Sequence, residues 1–148
     1  MKRFLAVFAV AVLASIAASV RAAGPMGPTV YTPASVKWTV GTGPMKGTMI
    51  ALLYGNPDKA GSEYAVRLKL PDGAKFAPHV HGRLEEATVL SGTFLVGVGK
   101  KWDDKKLSPL GPGSYAAIPA NVPHYGMAQG EVIIELHGVG PESMTMVK

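Results

Sequence analysis

Short runs in which apolar and polar residues alternate dominate the chain from residue 36 onward. The clearest run covers residues 63–70, where one face is apolar and the other is mainly charged. The apolar face holds Tyr64, Val66, Leu68 and Leu70, and the opposite face holds Glu63, Arg67 and Lys69. A period of two predicts a strand with one buried face, and the sequence Pro71-Asp72-Gly73 predicts the turn that ends it.

Other segments of the same kind follow at short intervals, separated by residues that favour turns. They cover residues 36–40, 47–55, 87–99, 113–119, 124–128 and 131–138, with 143–148 closing the chain. Gly92 interrupts one of them and predicts a bend or bulge, and residues 102–106 predict a short helical turn. No segment has the spacing of a long amphipathic helix. About eight to ten short strands predict a single all-β domain, either a sandwich or a barrel.

The N-terminal residues differ in composition from the rest of the chain. A basic start, an apolar run over residues 4–20 and small residues near the expected cleavage site predict a secretory signal peptide over residues 1–22. The alternative is an uncleaved membrane anchor, for which the apolar run is slightly short. Residues 23–35 are rich in Gly and Pro and predict a flexible lead-in to a domain over residues 36–148. We therefore expect a periplasmic or secreted protein with no stable membrane insertion after cleavage.

Charge and cysteine content exclude several classes of function. The chain has 15 basic and 10 acidic residues, a net charge of +5, but three basic residues lie in the signal peptide and their removal leaves +2. The lysine-rich segment 100–106 is interrupted by Asp103 and Asp104, which argues against a nucleic-acid partner. Because the chain has no cysteine, disulfides, thiolate metal ligands and thiol nucleophiles are all excluded.

Two histidines one residue apart are the first sign of chemistry. On a strand, His79 and His81 project from the same face, and Glu85 shares that face if the strand continues, while Glu86 points the other way. Two imidazoles and a carboxylate can bind a divalent transition metal if a further ligand arrives from elsewhere in the chain. The obvious supplier is His124, because rigid proline-containing turns precede it.

The spacing of these residues resembles the first motif of the cupin superfamily, G-x5-H-x-H-x3/4-E-x6-G. The fixed positions are matched by Gly73, His79, His81, Glu85 and Gly92. Because five positions agree at once, the chain is similar to the small, single-domain members of that superfamily.

A second cupin motif, G-x5-P-x-G-x2-H-x3-N, is matched in part. Gly113, Pro119 and His124 stand at the expected positions. Asn121 replaces the second glycine, and Ala128 replaces the final asparagine. Asparagine tolerates a positive φ better than other non-glycine residues, so we expect the turn at position 121 to survive.

The resemblance implies a fold and a cofactor. The fold is an antiparallel cupin-type barrel, also described as a double-stranded β-helix or jelly roll. The cofactor is one divalent transition metal held by His79, His81, Glu85 and His124, with the remaining coordination positions open to water or substrate. The donor set suits Fe, Mn, Zn, Cu or Ni and does not select among them. Cupins often pair through their outer strands, so a homodimer is one option.

Two further residues are candidates for moving protons near the metal. His137 ends an apolar strand and is either an acid or base lining the cavity or a polar residue at the strand end. Tyr125 follows His124 and is either a catalytic hydroxyl or a packing residue.

The sequence leaves two functions open, both involving a small molecule. The first is a metal-dependent enzyme, an oxygenase, oxidase or isomerase, acting on a small oxygen-bearing organic molecule. The second is a non-catalytic protein of the cell envelope that binds or senses a metal or small ligand. A purely structural barrel ranks last, because it needs all four ligand residues to coincide by chance.

Overall fold

The computed structural model describes residues 27–147, so the predicted signal peptide over residues 1–22 lies outside the described residues. Nine strands form in this part of the chain: β1 (Thr39–Val40), β2 (Met49–Gly55), β3 (Glu63–Leu70), β4 (Lys75–His81), β5 (Glu85–Val98), β6 (Ser108–Leu110), β7 (Tyr115–Ile118), β8 (His124–Val139) and β9 (Met144–Met146). Two short 3-10 turns, Gly43–Met45 and Asp104–Lys106, interrupt them. Between residues 27 and 147 there is no helix long and apolar enough to cross a membrane.

The strands form one curled antiparallel sheet, which confirms the prediction of an all-β, cupin-type barrel. One path through the sheet runs in the order β1-β2-β3-β8-β4-β9, and β5 joins it by pairing with β8 while also pairing with β6 and β7. Strand β8 therefore contacts β3, β4 and β5 by backbone hydrogen bonds. A strand with three partners holds the curled sheet together along much of its length.

The two longest strands, β5 and β8, cover 14 and 16 residues and run side by side. The register shifts around Gly92, which has a φ of 75° and confirms the predicted bulge. A Cβ atom at this position would come within 2.2 Å of the Glu131 carbonyl oxygen, so the bulge requires glycine. Residues 124–128 and 131–138, predicted as separate strands, form one continuous strand because the chain does not turn at Gly130.

The hydrophobic core lies on the inner face of the sheet. Its buried members are Leu68, Leu70, Phe76, Val89, Ala128, Val132 and Ile134. The apolar face predicted for residues 63–70 supplies two of them, in agreement with the period-two pattern. Burying each large apolar side chain contributes about 1.5–3 kcal/mol before the entropy of ordering is subtracted. Phe76 lies where the core meets the histidines, and its ring centroid is 6.4 Å from that of His79.

Candidate metal centre

Strands β4 and β8 bring three histidines together on the inner face of the sheet. His79 lies directly opposite His124 in the antiparallel register, and His81 lies two residues further along β4 on the same face. All three are at most 5% exposed. The ring centroids of His79 and His124 are 4.2 Å apart, and one nitrogen from each of the three rings lies within 4.8 Å of the others. The predicted convergence of His124 on the His-x-His pair is therefore present.

The turn before β8 fixes where His124 begins that strand. Asn121 has a φ of 63°, as expected for an asparagine in place of the motif glycine. Its backbone N–H donates to the carbonyl oxygen of His81 at 2.8 Å. The turn is thus tied to the end of β4, and this places His124 beside the two histidines of that strand.

Glu85 completes the predicted group from the first residue of β5. Its Oε2 atom lies 3.4 Å from His81 Nε2 and 3.2 Å from His124 Nε2. Two donors each about 2.1 Å from one ion, at a tetrahedral or octahedral angle, lie about 3.0–3.4 Å apart. These separations suit atoms that share a metal. Glu86 points to the outer face, as predicted, where it accepts a hydrogen bond from the Tyr115 hydroxyl at 2.5 Å.

Each histidine ring is oriented by its other nitrogen. His79 Nδ1 lies 2.7 Å from the Ala77 carbonyl oxygen, and His124 Nδ1 lies 3.0 Å from that of Val122. His81 Nδ1 lies 2.6 Å from Glu142 Oε1. Carbonyl and carboxylate oxygens only accept hydrogen bonds, so each Nδ1 must carry the proton and donate. In the neutral rings, Nε2 is left with a lone pair directed toward the other rings.

This arrangement fits a cation better than it fits a set of hydrogen bonds. Among the described residues, His81 Nε2 is a buried side-chain atom with no hydrogen-bond partner. A buried polar atom left unpaired costs about 1–3 kcal/mol. A divalent metal would accept the Nε2 lone pairs and the Glu85 carboxylate together, and neutral imidazoles with a carboxylate are suitable donors for it.

Glu142 belongs to this group, although no feature of the sequence indicated it. The residue lies in the segment between β8 and β9, and its backbone N–H donates to the Pro57 carbonyl oxygen at 2.7 Å. One carboxylate oxygen contacts His81 Nδ1, and the other accepts a hydrogen bond from the Tyr64 hydroxyl at 2.8 Å. A carboxylate on the outer nitrogen of a metal-binding histidine orients the ring and raises its basicity as a ligand.

The ionisation of the group follows from burial and these contacts. Burial works against a charged Glu142, but hydrogen bonds from His81 and Tyr64 outweigh it and lower the pKa of the carboxyl group. Burial and the same carboxylate raise the pKa of Tyr64, which stays a donor at neutral pH. Burial lowers the pKa of His79 and keeps its ring neutral. Burial opposes a charged His81, yet Glu142 and Glu85 raise its pKa.

The structure does not bring His137 to the three histidines. His137 lies across from Glu86 in the register of β5 and β8. It therefore points to the outer face of the sheet, whereas Glu85 points to the inner face. Its Nε2 lies 3.0 Å from Glu135 Oε1, and its side chain is 48% exposed. Glu135 also forms an ion pair with Arg67, whose Nε lies 2.6 Å away, so Arg67 points outward as well. His137 lines a separate surface cavity of about 650 Å³.

Tyr125 is fully buried and packs on the face of β8 opposite to His124. Its ring centroid lies 4.9 Å from that of Trp102, and a Cβ atom added to Gly97 would come within 2.3 Å of the ring. The hydroxyl donates to the Asp103 carbonyl oxygen at 3.2 Å. The ring therefore packs against Trp102 and the backbone of β5, and the hydroxyl is bonded to backbone.

The three histidines, Glu85 and Glu142 line a cavity of about 450 Å³ inside the barrel. This volume lies in the range of about 300–1,000 Å³ that is typical of small-molecule sites. The candidate metal ligands therefore border a space that a small molecule can occupy.

Comparison with known families identifies the class of this protein. A family model described as a Cupin domain matches residues 66–139, which is half of the chain. The matched range includes both motifs and all four predicted metal ligands. The chain belongs to the cupin family. No protein with a curated description matches the sequence.

Several solved structures share the fold. The polyketide cyclase RemF from Streptomyces resistomycificus has a TM-score of 0.66 and 21% identity, covering 82% of this chain and 87% of that chain. KdgF from Halomonas sp. has a TM-score of 0.57 and 22% identity, with coverage of 77% and 96%. Salicylate 1,2-dioxygenase from Pseudoaminobacter salicylatoxidans, solved as a variant in complex with gentisate, has a TM-score of 0.57 and 16% identity, with coverage of 73% and 31%. At these identities the likeness shows the fold alone.

The hydrogen bonds predict which nitrogen carries the proton in each ring of the metal-free protein. At about pH 9, where imidazoles are neutral, His79, His81 and His124 should be protonated at Nδ1. His137 should be protonated at Nε2, because that nitrogen faces Glu135, and it serves as the internal control. Long-range proton–nitrogen correlation spectra distinguish the two forms. A predominant Nε2–H form at any of the three buried histidines would contradict the orientation described above.

Proposed function

We propose that this protein is an exported, metal-dependent enzyme, an oxygenase, oxidase or isomerase, that acts on a small oxygen-bearing organic molecule. The observation that carries the proposal is the convergence of one nitrogen from each of the three rings, with the Glu85 carboxylate beside His81 and His124 and all three Nδ1 atoms already hydrogen bonded. Export is part of the proposal because residues 1–22 have the pattern of a signal peptide.

The residues of the chain define how such a site would work. His79, His81, His124 and Glu85 would hold one divalent ion of Fe, Mn, Zn, Cu or Ni. The bound ion would act as a Lewis acid on an oxygen atom of the substrate. Glu142 and the Ala77 and Val122 carbonyls hold the rings in place, so the donors need little rearrangement. The cavity beside them lies inside the barrel, where it can hold the substrate away from bulk water.

Two of the solved structures that share the fold have the names of enzymes, which supports the proposal that this protein is an enzyme. RemF is called a polyketide cyclase, and another neighbour is called a dioxygenase. Both names describe chemistry on organic molecules that carry oxygen. Because identity to either is low, these names support the class of function and not a particular substrate.

Non-catalytic binding or sensing of a small ligand in the cell envelope is the second candidate function, and one observation favours it. Most of the wall of the inner cavity is apolar, so few groups apart from the metal ligands and Glu142 could move protons. A wall of this kind suits a protein that holds a ligand unchanged. Release of a chemically altered ligand from the metal-loaded protein distinguishes the enzyme from the binding protein.

Replacing one of the proposed ligands tests the metal site directly. His79→Ala or His124→Ala should weaken binding of Zn(II) or Co(II) by about 100-fold or more, because a site of about 10–16 kcal/mol shared by four ligands loses about 3 kcal/mol with each. Competition with a chromophoric chelator measures the affinity. His137→Ala is the matched control and should bind like the unaltered protein. Equal loss in His137→Ala, or no loss in the other two, would contradict the assignment.

The role of Glu142 predicts a smaller effect. Glu142→Gln keeps the size of the side chain but removes the charge that holds His81, and should weaken metal binding by about 10–100-fold. Glu131→Gln, an exposed position on the same strand as His124, is the control and should leave the affinity unchanged. The same competition assay measures both variants. Wild-type affinity in Glu142→Gln would show that this carboxylate does not tune the site.

A further inference from the structure

The inner cavity has two chemically distinct parts. Most of its wall is made of hydrocarbon and aromatic side chains that come from eight strands, β2 to β9. Representative members are Ile50, Leu68, Phe94, Leu110, Ile134 and Leu136. The polar part is formed by the three histidines, Glu85 and Glu142, together with Asp58, Tyr64 and Ser143. A ligand inside therefore meets polar groups at the candidate metal centre and an apolar wall over most of the remaining surface.

The charges around the cavity are all of one sign. Its acidic lining residues are Asp58, Glu85 and Glu142, and no lysine or arginine lines it among the described residues. Binding sites for phosphates and multiple carboxylates use arginine or lysine as partners. A phosphorylated or polyanionic ligand would have only the metal as counter-charge and would face three carboxyl groups.

Two polar side chains of the lining, Tyr64 and Glu142, are already hydrogen bonded within the protein. The Tyr64 hydroxyl donates to Glu142, and the Glu142 carboxylate accepts from both Tyr64 and His81. A sugar would bury several hydroxyl groups against a largely apolar wall. Each hydroxyl left unpaired weakens binding by about tenfold or more. Hydrocarbon placed against the same wall strengthens binding of the ligand.

We infer that the ligand of this cavity is an uncharged molecule with a mainly hydrocarbon body and its oxygen atoms at one end. The oxygen end faces the metal centre, and the body fills the space between the apolar strands. The inference rests on the proposed function, because the metal supplies the partner for the oxygen atoms. It narrows that function by excluding sugars, sugar phosphates and polycarboxylates as substrates.

Three compounds with the same hydroxymethyl ketone end test this inference. The rest of the molecule is a phenyl ring in 2-hydroxyacetophenone, a hydroxymethyl group in dihydroxyacetone and a charged phosphomethyl group in dihydroxyacetone phosphate. Titration calorimetry on Zn-loaded protein should show that the phenyl compound binds about tenfold or more tighter than dihydroxyacetone. Dihydroxyacetone phosphate should bind no more tightly than dihydroxyacetone. Equal affinities for all three, or tightest binding of the phosphate, would overturn the inference.

Variants inside the barrel test whether the preference arises in this cavity. Ala87 and Ala116 lie opposite each other on β5 and β7, and both line the cavity. Ala87→Leu and Ala116→Leu should each reduce binding of 2-hydroxyacetophenone by about tenfold while leaving the zinc content unchanged. Two sites are used so that a folding defect in one does not decide the outcome. Thr88→Leu, on the outer face of β5, is the control and should keep the preference. Retention of the preference in both cavity variants would overturn the inference.

The metal content is measured before any compound is added. Protein that retains no zinc would contradict the proposed function, and the inference would fall with it. Protein that holds zinc but does not prefer the phenyl compound would overturn the substrate class alone. The two failures are therefore seen in different measurements.

Discussion

Three buried imidazole rings that direct their Nε2 atoms toward one another impose the main physical constraint on this structure. In a neutral ring each Nδ1 proton is donated outward, to the Ala77 or Val122 carbonyl or to Glu142, and among the described residues the buried Nε2 atom of His81 has no hydrogen-bond partner. Such a group is costly in a folded protein unless a cation satisfies it. The surrounding contacts hold the three rings in this arrangement. They also explain why the polar residues Glu142 and Tyr64 lie beside His81.

The barrel provides the rigid frame that the rings require. The histidines stand on β4 and β8, two paired strands, and not on free loops, so their separation is set by the backbone register. The turn at Asn121 and the bulge at Gly92 are irregular points that adjust this frame. Asn121 bonds to the backbone of His81, and Gly92 lets β5 follow β8 past Glu131. The segment that carries Glu142 is held by Pro57 and places its carboxylate against the outer nitrogen of His81.

Much of the fold and of the first ligand group could be predicted from the sequence, because both depend on local periodicity. Alternation along residues 63–70 gave the buried face correctly, and the same parity placed His79, His81 and Glu85 together. His137 shares its strand face with Glu135, the charged and outward face, so its separation from the site follows from the same rule. Glu142 could not be predicted, because it meets His81 only through the tertiary position of a loop 61 residues away. The continuity of β8 through Gly130 was also missed, because that glycine fits a turn as well as a strand.

Elemental analysis is the direct test of whether the three histidines and Glu85 together hold a metal ion. The protein is isolated from its own cells without added metal and without chelators, and its transition-metal content is measured per chain. We expect one divalent transition-metal ion per chain. A correctly folded protein that contains essentially none, and that takes up none when Fe, Mn, Zn, Cu and Ni are supplied in turn, would contradict this expectation.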